Sequence, residues 1–175
     1  MALKLFRLML TCLLCSGLAI VDGHRVAAEE PVLKTILYQL PDVGFQFHAP
    51  EGFKLERGVW YHPELNATFH FGYSKGASYD KVVAEFTPEA VKATGQELRK
   101  TEEVKVQDID GTLITVANES KGVRKIGRFI IFPDDEGVCQ VSVITRQTSS
   151  ENVHKALRAA LLSMQRTKPQ PASKP

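Results

Sequence analysis

The sequence has few cysteines, no long apolar run and no cluster of basic residues. Of its three cysteines, Cys12 and Cys15 lie in the first 28 residues, which leaves Cys139 without a partner for an internal disulfide. A chain of this size can bury one apolar core without such crosslinks. We therefore predict a single domain at residues 29–166, held together by packing.

The longest apolar run, residues 8–21, spans fourteen positions, whereas a transmembrane helix needs about 20. It follows Lys4 and Arg7 and precedes Val26-Ala27-Ala28, whose small residues suit a signal-peptidase site. The pattern predicts a signal peptide at residues 1–28, with cleavage after Ala28. The mature protein is then periplasmic or secreted and has no transmembrane segment.

Charge argues against several classes of partner. Residues 29–165 contain 16 basic and 19 acidic side chains, without a basic stripe. Nucleic-acid-binding proteins usually carry such a stripe, and anionic lipid attracts positively charged surfaces. We predict no nucleic-acid partner, and no motif in the chain indicates a cofactor.

Apolar periodicity predicts an α+β fold with about six to seven antiparallel strands. The N-terminal part is extended from Thr35 to His48, with short pieces near residues 53–55 and 59–61 and a clear strand at 68–73. One kinked helix or two short ones follow, capped by Ser78 and Thr87 and ending at Gly95. A four-strand meander then covers residues 98–106, 112–118, 123–132 and 138–146.

The joints of the meander carry turn residues. We place hairpin turns at Asp110-Gly111, at residues 119–122 and at residues 133–137. The glycine inside the third strand, Gly127, predicts a β-bulge.

The last helix is the most regular element of the sequence. Thr148-Ser-Ser-Glu151 has the form of a capping box, and an apolar stripe follows at helical spacing. The stripe predicts a helix that covers one face of the sheet, with Arg158 on its opposite side. Residues 167–175, with three prolines, are predicted to be a disordered tail. The stripe comprises Val153, Ala156, Leu157, Ala160, Leu161 and Met164.

One short motif resembles a known family. Phe47-His-Ala-Pro-Glu-Gly-Phe53, a Pro-x-Gly-aromatic turn after an aromatic strand, resembles the opening of the PsbP-like and DcrB-like domains. The later order is also similar: a helix, a strand into Ile109-Asp-Gly111, two long hairpin strands and an amphipathic helix ending in Leu162-Ser-Met164. The resemblance covers residues 35–165. It implies a PsbP-like sandwich of sheet and helices, and an accessory, scaffold or chaperone-like role without catalysis.

Ser74 is the one serine in a G-x-S-x-G sequence, formed with Gly72 and Gly76. A strand precedes it, a helix follows, and acidic residues and then His154 come later in the order of α/β-hydrolases. The helix of a nucleophile elbow, however, begins directly after the serine, and that fold needs a mostly parallel sheet. We therefore interpret Ser74 as part of a strand-to-helix connection, with a serine hydrolase as the alternative.

The aromatic cluster Trp60-Tyr61-His62 lies in a turn-rich region. Exposed aromatic residues on loops can anchor a partner, so these three residues are the candidate binding site. The alternative is that Trp60 packs under the N-terminal strands.

The remaining cysteine, three histidines and an acidic segment do not indicate a catalytic or metal site. Cys139 shares a strand face with two valines, which is typical of a buried, inert thiol. His48, His62 and His70 lack the spacing of metal ligands and are expected to face solvent. The acidic residues 134–136 lack the spacing of a calcium loop and fit a solvated turn.

The sequence thus predicts an exported, non-catalytic binding or accessory protein with a protein partner outside the cytoplasm. A small serine hydrolase using Ser74 and an exported immunity or inhibitor protein remain the alternatives. Asn66 and Asn118 begin N-glycosylation sequons, whose use depends on the source of the chain.

Overall fold

The computed structural model describes residues 33–40, 44–56 and 59–167. The predicted signal peptide therefore lies outside the described residues, as does the predicted tail after Thr167. In chain order the elements are β1 (Thr35–Leu40), β2 (Phe45–Pro50), β3 (Lys54–Glu56), β4 (Val59–His62), β5 (Ala67–Lys75), α1 (Tyr79–Ala84), α2 (Pro88–Lys92), β6 (Glu97–Val106), β7 (Ile109–Ser120), β8 (Val123–Asp134), β9 (Gly137–Arg146), α3 (Glu151–Leu162) and β10 (Gln165–Arg166).

The strands form two antiparallel sheets, so the α+β fold class predicted from the sequence is confirmed. The larger sheet has seven strands in the order β3-β4-β5-β9-β8-β7-β6, and the smaller has the order β1-β2-β10. The predicted meander is β6 to β9, each strand paired with the next. The separate three-stranded sheet was not predicted, because alternation within a strand does not tell which sheet the strand joins.

One face of the large sheet, called here the sandwich face, packs against the small sheet and α3. Aromatic rings join the two sheets: Phe47 lies 5.1 Å from Phe69 and 5.5 Å from Phe71 between ring centroids. Leu157 and Leu161 of α3 are fully buried in the same apolar cluster. The apolar stripe predicted for the last helix therefore covers the sheet as expected.

The opposite face, called here the helix-pair face, is covered by α1 and α2. Val82 of α1 and Val91 of α2 are buried against Ile114 and Val116 of β7 and Ile131 of β8. The strands β7 and β8 are apolar on both sides because each side has its own cover. The two short helices confirm the prediction of a break at Thr87, whose hydroxyl accepts a hydrogen bond from the Ala90 N–H at 3.1 Å.

Two details of the meander differ from the sequence prediction. Asp110 and Gly111 lie inside β7, and the turn is formed three residues earlier, at residues 107–108, with Gln107 at φ +55°. Gly111 is needed in the strand for space, because a Cβ there would lie 2.8 Å from the Ile131 carbonyl oxygen. A glycine that serves close packing gives the same sequence signal as a glycine that serves a turn.

The predicted bulge at Gly127 is also wrong. Gly127 pairs regularly with Val116 and with Ile144. The irregularity lies in β6, where the register shifts between Leu98 and Lys100 and leaves Arg99 without a partner in β7.

The last helix begins two residues later than a capping box at Thr148 would place it. Ser150 is the N-cap, and its hydroxyl accepts a hydrogen bond from the Val153 N–H at 3.4 Å. Thr148 and Ser150 can both cap a helix, and α3 uses the one closer to its apolar stripe.

The Pro-x-Gly-aromatic turn is held by one buried phenol. The Tyr38 hydroxyl donates to the Pro50 carbonyl oxygen at 3.1 Å. It also accepts hydrogen bonds from the Gly52 N–H at 2.9 Å and the Phe53 N–H at 3.0 Å. This turn therefore depends on a tyrosine that lies twelve residues earlier in the chain.

We expect Tyr38→Phe to lower the free energy of unfolding by about 1–3 kcal/mol, because it leaves buried backbone groups unpaired while keeping the ring. Tyr61→Phe is the matched control, since no hydrogen bond of the Tyr61 hydroxyl occurs among the described residues. It should stay within about 0.5 kcal/mol of wild type. Urea melts that show equal effects for the two variants would contradict this role for Tyr38.

Candidate functional site

Ser74 lies within β5, not in the connection after it as predicted. It pairs with Val138 of β9, and the strand runs on to Lys75 before the turn at Gly76. The pairing is close: a Cβ on Gly137 would lie 2.2 Å from the Ser74 carbonyl oxygen. The Ser74 hydroxyl accepts a hydrogen bond from the Gln140 side-chain amide at 3.3 Å.

The hydrolase hypothesis needs a histidine beside Ser74, and His154 is not there. Phe69, Phe71 and Tyr73 of β5 pack on the sandwich face, so Ser74 points to the helix-pair face. His154 belongs to α3 on the sandwich face, where its Nδ1 accepts from Arg128 at 3.2 Å. The sheet separates the two side chains.

Cys139 is buried, as predicted. Burial and the nearby carboxylate of Asp134 raise the pKa of its thiol to about 12, so the thiolate needed for nucleophilic attack is scarce at neutral pH. Arg166 lies near Cys139. Its guanidinium pairs with Asp134 and stacks on the Tyr73 ring, 3.7 Å from the ring centroid. The carboxylate at 134 thus belongs to an ion pair and not to the freely solvated turn that was predicted.

The aromatic cluster lies in strand β4 and not in a loop. Trp60 is half-buried and packs edge-on against Tyr38, with ring centroids 5.7 Å apart. The tryptophan therefore packs beneath an N-terminal strand, which was the alternative weighed for it. Tyr61 is half-buried on the helix-pair side of the sheet. A binding role for these residues stays a prediction.

His62 is buried, so the expectation that it faces solvent is wrong. Its Nδ1 accepts from the Leu65 N–H at 3.3 Å, which places the ring proton on Nε2, where it donates to the Glu51 carbonyl oxygen at 2.9 Å. Both nitrogens are thus used within the fold, and Gly52 passes so close that a Cβ would lie 2.8 Å from Nε2. His62 acts as a support for the turn held by Tyr38.

The other two of these histidines, His48 and His70, differ in how exposed they are. His48 is exposed on β2, as expected. His70 is half-buried on β5, where burial lowers the pKa of its imidazole. Within the described part of the chain, no three His, Cys, Asp or Glu side chains are grouped to hold a metal ion.

A cleft of about 550 Å³ opens where α2 meets the ends of the meander strands. We call it the Asn118 cleft. It lies on the helix-pair side, beside α2. Its walls are Pro88, Lys92, residues 95–99, residues 117–119, Arg124 and Gln147.

Asn118 is the unusual member of this lining. It is only 6% exposed, and neither its side-chain nitrogen nor its oxygen has a hydrogen-bond partner among the described residues. An unmade hydrogen bond at a buried amide costs about 1–3 kcal/mol, so such a group usually has a partner. Asn118 therefore places, just beneath the cleft, a donor and an acceptor that have no partner among the described residues.

Four of the charged residues at the rim of the cleft form two ion pairs with each other. Arg99 pairs with Glu97 at 2.8 Å, and Arg124 pairs with Glu119 at 3.3 Å. Arg99 is also the bulge residue of β6, and bulges are frequent beside functional sites, where they redirect a side chain. No lining side chain is aromatic.

This cleft is not predicted by the sequence patterns above, although Asn118 gives one signal of it. Asn118 continues the alternation of Ile114 and Val116 along β7, which places a carboxamide on an otherwise apolar face. The same burial bears on its sequon, because Asn118 pairs with Lys125 inside the sheet and is shielded from a glycosylating enzyme once folded. Asn66, in a turn at φ +50°, is half-exposed.

Comparison with known proteins gives matches in structure alone. No family model matches the sequence, and no curated protein is a significant match. DcrB-like membership therefore stays a prediction.

Several solved structures share the fold at low sequence identity. The Ran-binding protein Mog1p of Saccharomyces cerevisiae superposes with a TM-score of 0.56 at 9% identity, over 78% of this chain and 97% of that one. Cyanobacterial PsbP (CyanoP) of Synechocystis sp. PCC 6803 gives 0.54 at 11% identity, over 82% and 98%. A Pseudomonas aeruginosa protein of unknown function gives 0.50 at 15% identity, over 79% and 99%.

These matches span nearly the full length of the neighbours, from 97% to 99% of each chain. The PsbP-like fold implied by the sequence motif is therefore confirmed: the chain is an α+β sandwich of the kind found in PsbP and Mog1p.

Proposed function

We propose that this chain is an exported, non-catalytic accessory protein that binds a protein partner through the Asn118 cleft. The observation that carries the proposal is the buried amide of Asn118, which has no hydrogen-bond partner among the described residues and lines an open cleft. Natural folds keep such costly groups mainly where a ligand or a solvent molecule completes them.

The chemistry of the cleft favours binding over catalysis. Its charged groups are Lys92, the two arginines and the two glutamates paired with them. It contains no serine, cysteine or histidine, so it offers no nucleophile–base pair. The thiol of Cys139 lies on the other face of the sheet.

The fold and the leader segment add support of a different kind. Mog1p, which shares the fold, is a Ran-binding protein, so protein binding is compatible with this sandwich. In the part of the chain that the structure covers, no helix is long and apolar enough to cross a membrane. Export rests on residues 1–28, whose pattern is that of a cleaved signal peptide.

An immunity or inhibitor protein would also act by binding, and the identity of the partner would separate that alternative from an accessory role. The serine hydrolase has no such support, since the sheet separates Ser74 from His154.

Crosslinking from the cleft tests the proposal. We expect Lys92→p-benzoylphenylalanine, expressed in cells that export the chain, to yield one discrete photo-crosslinked adduct with a host protein. Lys75→p-benzoylphenylalanine is the matched control, because Lys75 is 77% exposed and lies beside Gly137, at the other end of the sheet. Equal adducts from the two positions, or none from position 92, would contradict the proposal.

A further inference from the structure

We infer that the ligand of the Asn118 cleft is the uncharged main chain of an extended peptide segment, contributed by the partner protein. The inference rests on the proposed function and specifies the chemistry that the cleft recognises.

The polar residues of the cleft match the groups of a peptide bond. Three carboxamide side chains line the cleft, Gln96, Asn118 and Gln147. A carboxamide presents one acceptor and a pair of donors, which matches the carbonyl and the N–H of a peptide bond. For Asn118 both kinds of group lack a partner among the described residues, so a ligand that completes it must offer an acceptor and a donor together.

The charges of the cleft favour an uncharged ligand. The glutamates at positions 97 and 119 each pair with an arginine at the rim. Lys92 is the remaining charged residue of the lining. A strongly charged ligand would have to compete with the two ion pairs, whereas an uncharged backbone would not. Nucleobases usually stack on aromatic side chains, and the lining has none.

The cleft lies beside an edge strand, which favours an extended peptide. Residues 97–99 of the lining belong to β6, the last strand of the large sheet in the described structure. An edge strand presents backbone donors and acceptors that an extended peptide can use. The bulge at Arg99 interrupts the regular edge at this point, so a bound segment meets both the strand backbone and the cleft beside it.

A ligand reaches the Asn118 amide once neighbouring side chains move, because both of its polar atoms lie beneath the surface. Lys92 and Arg99 of the lining are exposed. Long exposed side chains change rotamer quickly.

The test is an NMR titration of the isotopically labelled protein purified after export. The probe is the capped peptide acetyl-Ala-Gly-Ala-Gly-amide, with maltotetraose and glutarate as comparators at the same concentrations. We expect the peptide alone to cause a saturable shift of the Asn118 side-chain NH₂ signal, while signals from the 134–137 hairpin stay in place. In Asn118→Leu, the Gln147 side-chain signal should titrate with affinity weakened by about tenfold or more, as the loss of paired hydrogen bonds implies.

The outcomes separate this inference from the proposed function. A saturable shift with maltotetraose or glutarate instead of the peptide would overturn the peptide class and leave the binding role intact. No shift with any probe, together with a discrete adduct from position 92, would likewise overturn the inference alone. Peptide binding that persists unchanged in Asn118→Leu would overturn the role assigned to Asn118.

Discussion

Replacing Leu157 by alanine should lower the free energy of unfolding by about 2–5 kcal/mol, because it leaves a cavity in a packed interior. Leu157 is fully buried at the centre of the apolar stripe of α3, within the cluster that joins the helix to both sheets. Leu157→Asp should cost more, since it buries a carboxylate without a partner. Denaturant melts followed by far-UV circular dichroism measure both effects.

Lys155→Ala is the matched control on the same helix. Its side chain is 70% exposed and pairs with Glu151 across one turn, and such surface pairs contribute little. Its effect should stay within about 0.5 kcal/mol. If Leu157→Ala matched this control, α3 would be an arm that detaches from the sheet, and the layered architecture would be wrong.

Replacing Asn118 by leucine should raise the free energy of unfolding by about 1–3 kcal/mol, because it removes two buried polar atoms that have no partners in the described structure. Asn118→Asp should act in the opposite direction, with a loss of several kcal/mol, because a buried unpaired carboxylate is strongly disfavoured. Proteins often gain stability when a binding group is removed.

Asn152→Leu provides the control for this pair, since Asn152 is exposed on α3 and should be nearly neutral. Thermal and urea melts on the purified variants supply the readout. A loss of stability in Asn118→Leu would show that the amide is already satisfied in the free protein, and the argument for a ligand would fall.

The meander and the last helix were predictable because local patterns determine them. The stripe from Val153 to Met164 specifies one face of a helix, and the turn at Lys121 and Gly122, both with positive φ, lies where hairpin chemistry places it. Fold class and element order followed from these patterns. The short Pro-x-Gly-aromatic motif forms an ordered turn, which Tyr38 and His62 hold by hydrogen bonds.

The remaining features depend on contacts between distant parts of the chain. Gly111 resembles a turn glycine but serves a close approach to Ile131. The sequence around His62 is that of a surface residue, but in the fold both of its ring nitrogens make hydrogen bonds, with the backbone of Glu51 and of Leu65. Periodicity cannot report such contacts, since they are set by how the layers stack.

The candidate site was missed for a related reason. In the sequence, Asn118 is marked only by its glycosylation sequon. Its inward orientation depends on the register of β7 with β8, which the sequence does not show. Ser74 and the residues at 60–62 were more conspicuous, yet Ser74, Trp60 and His62 all make contacts that serve the fold.

The most direct measurement of the central claim is the yield of the photo-crosslinked adduct from position 92 in an Asn118→Leu background. If the cleft binds the partner through the Asn118 amide, the adduct should be lost although the variant is folded and more stable than wild type. A more stable variant that keeps the full yield of adduct would contradict the claim.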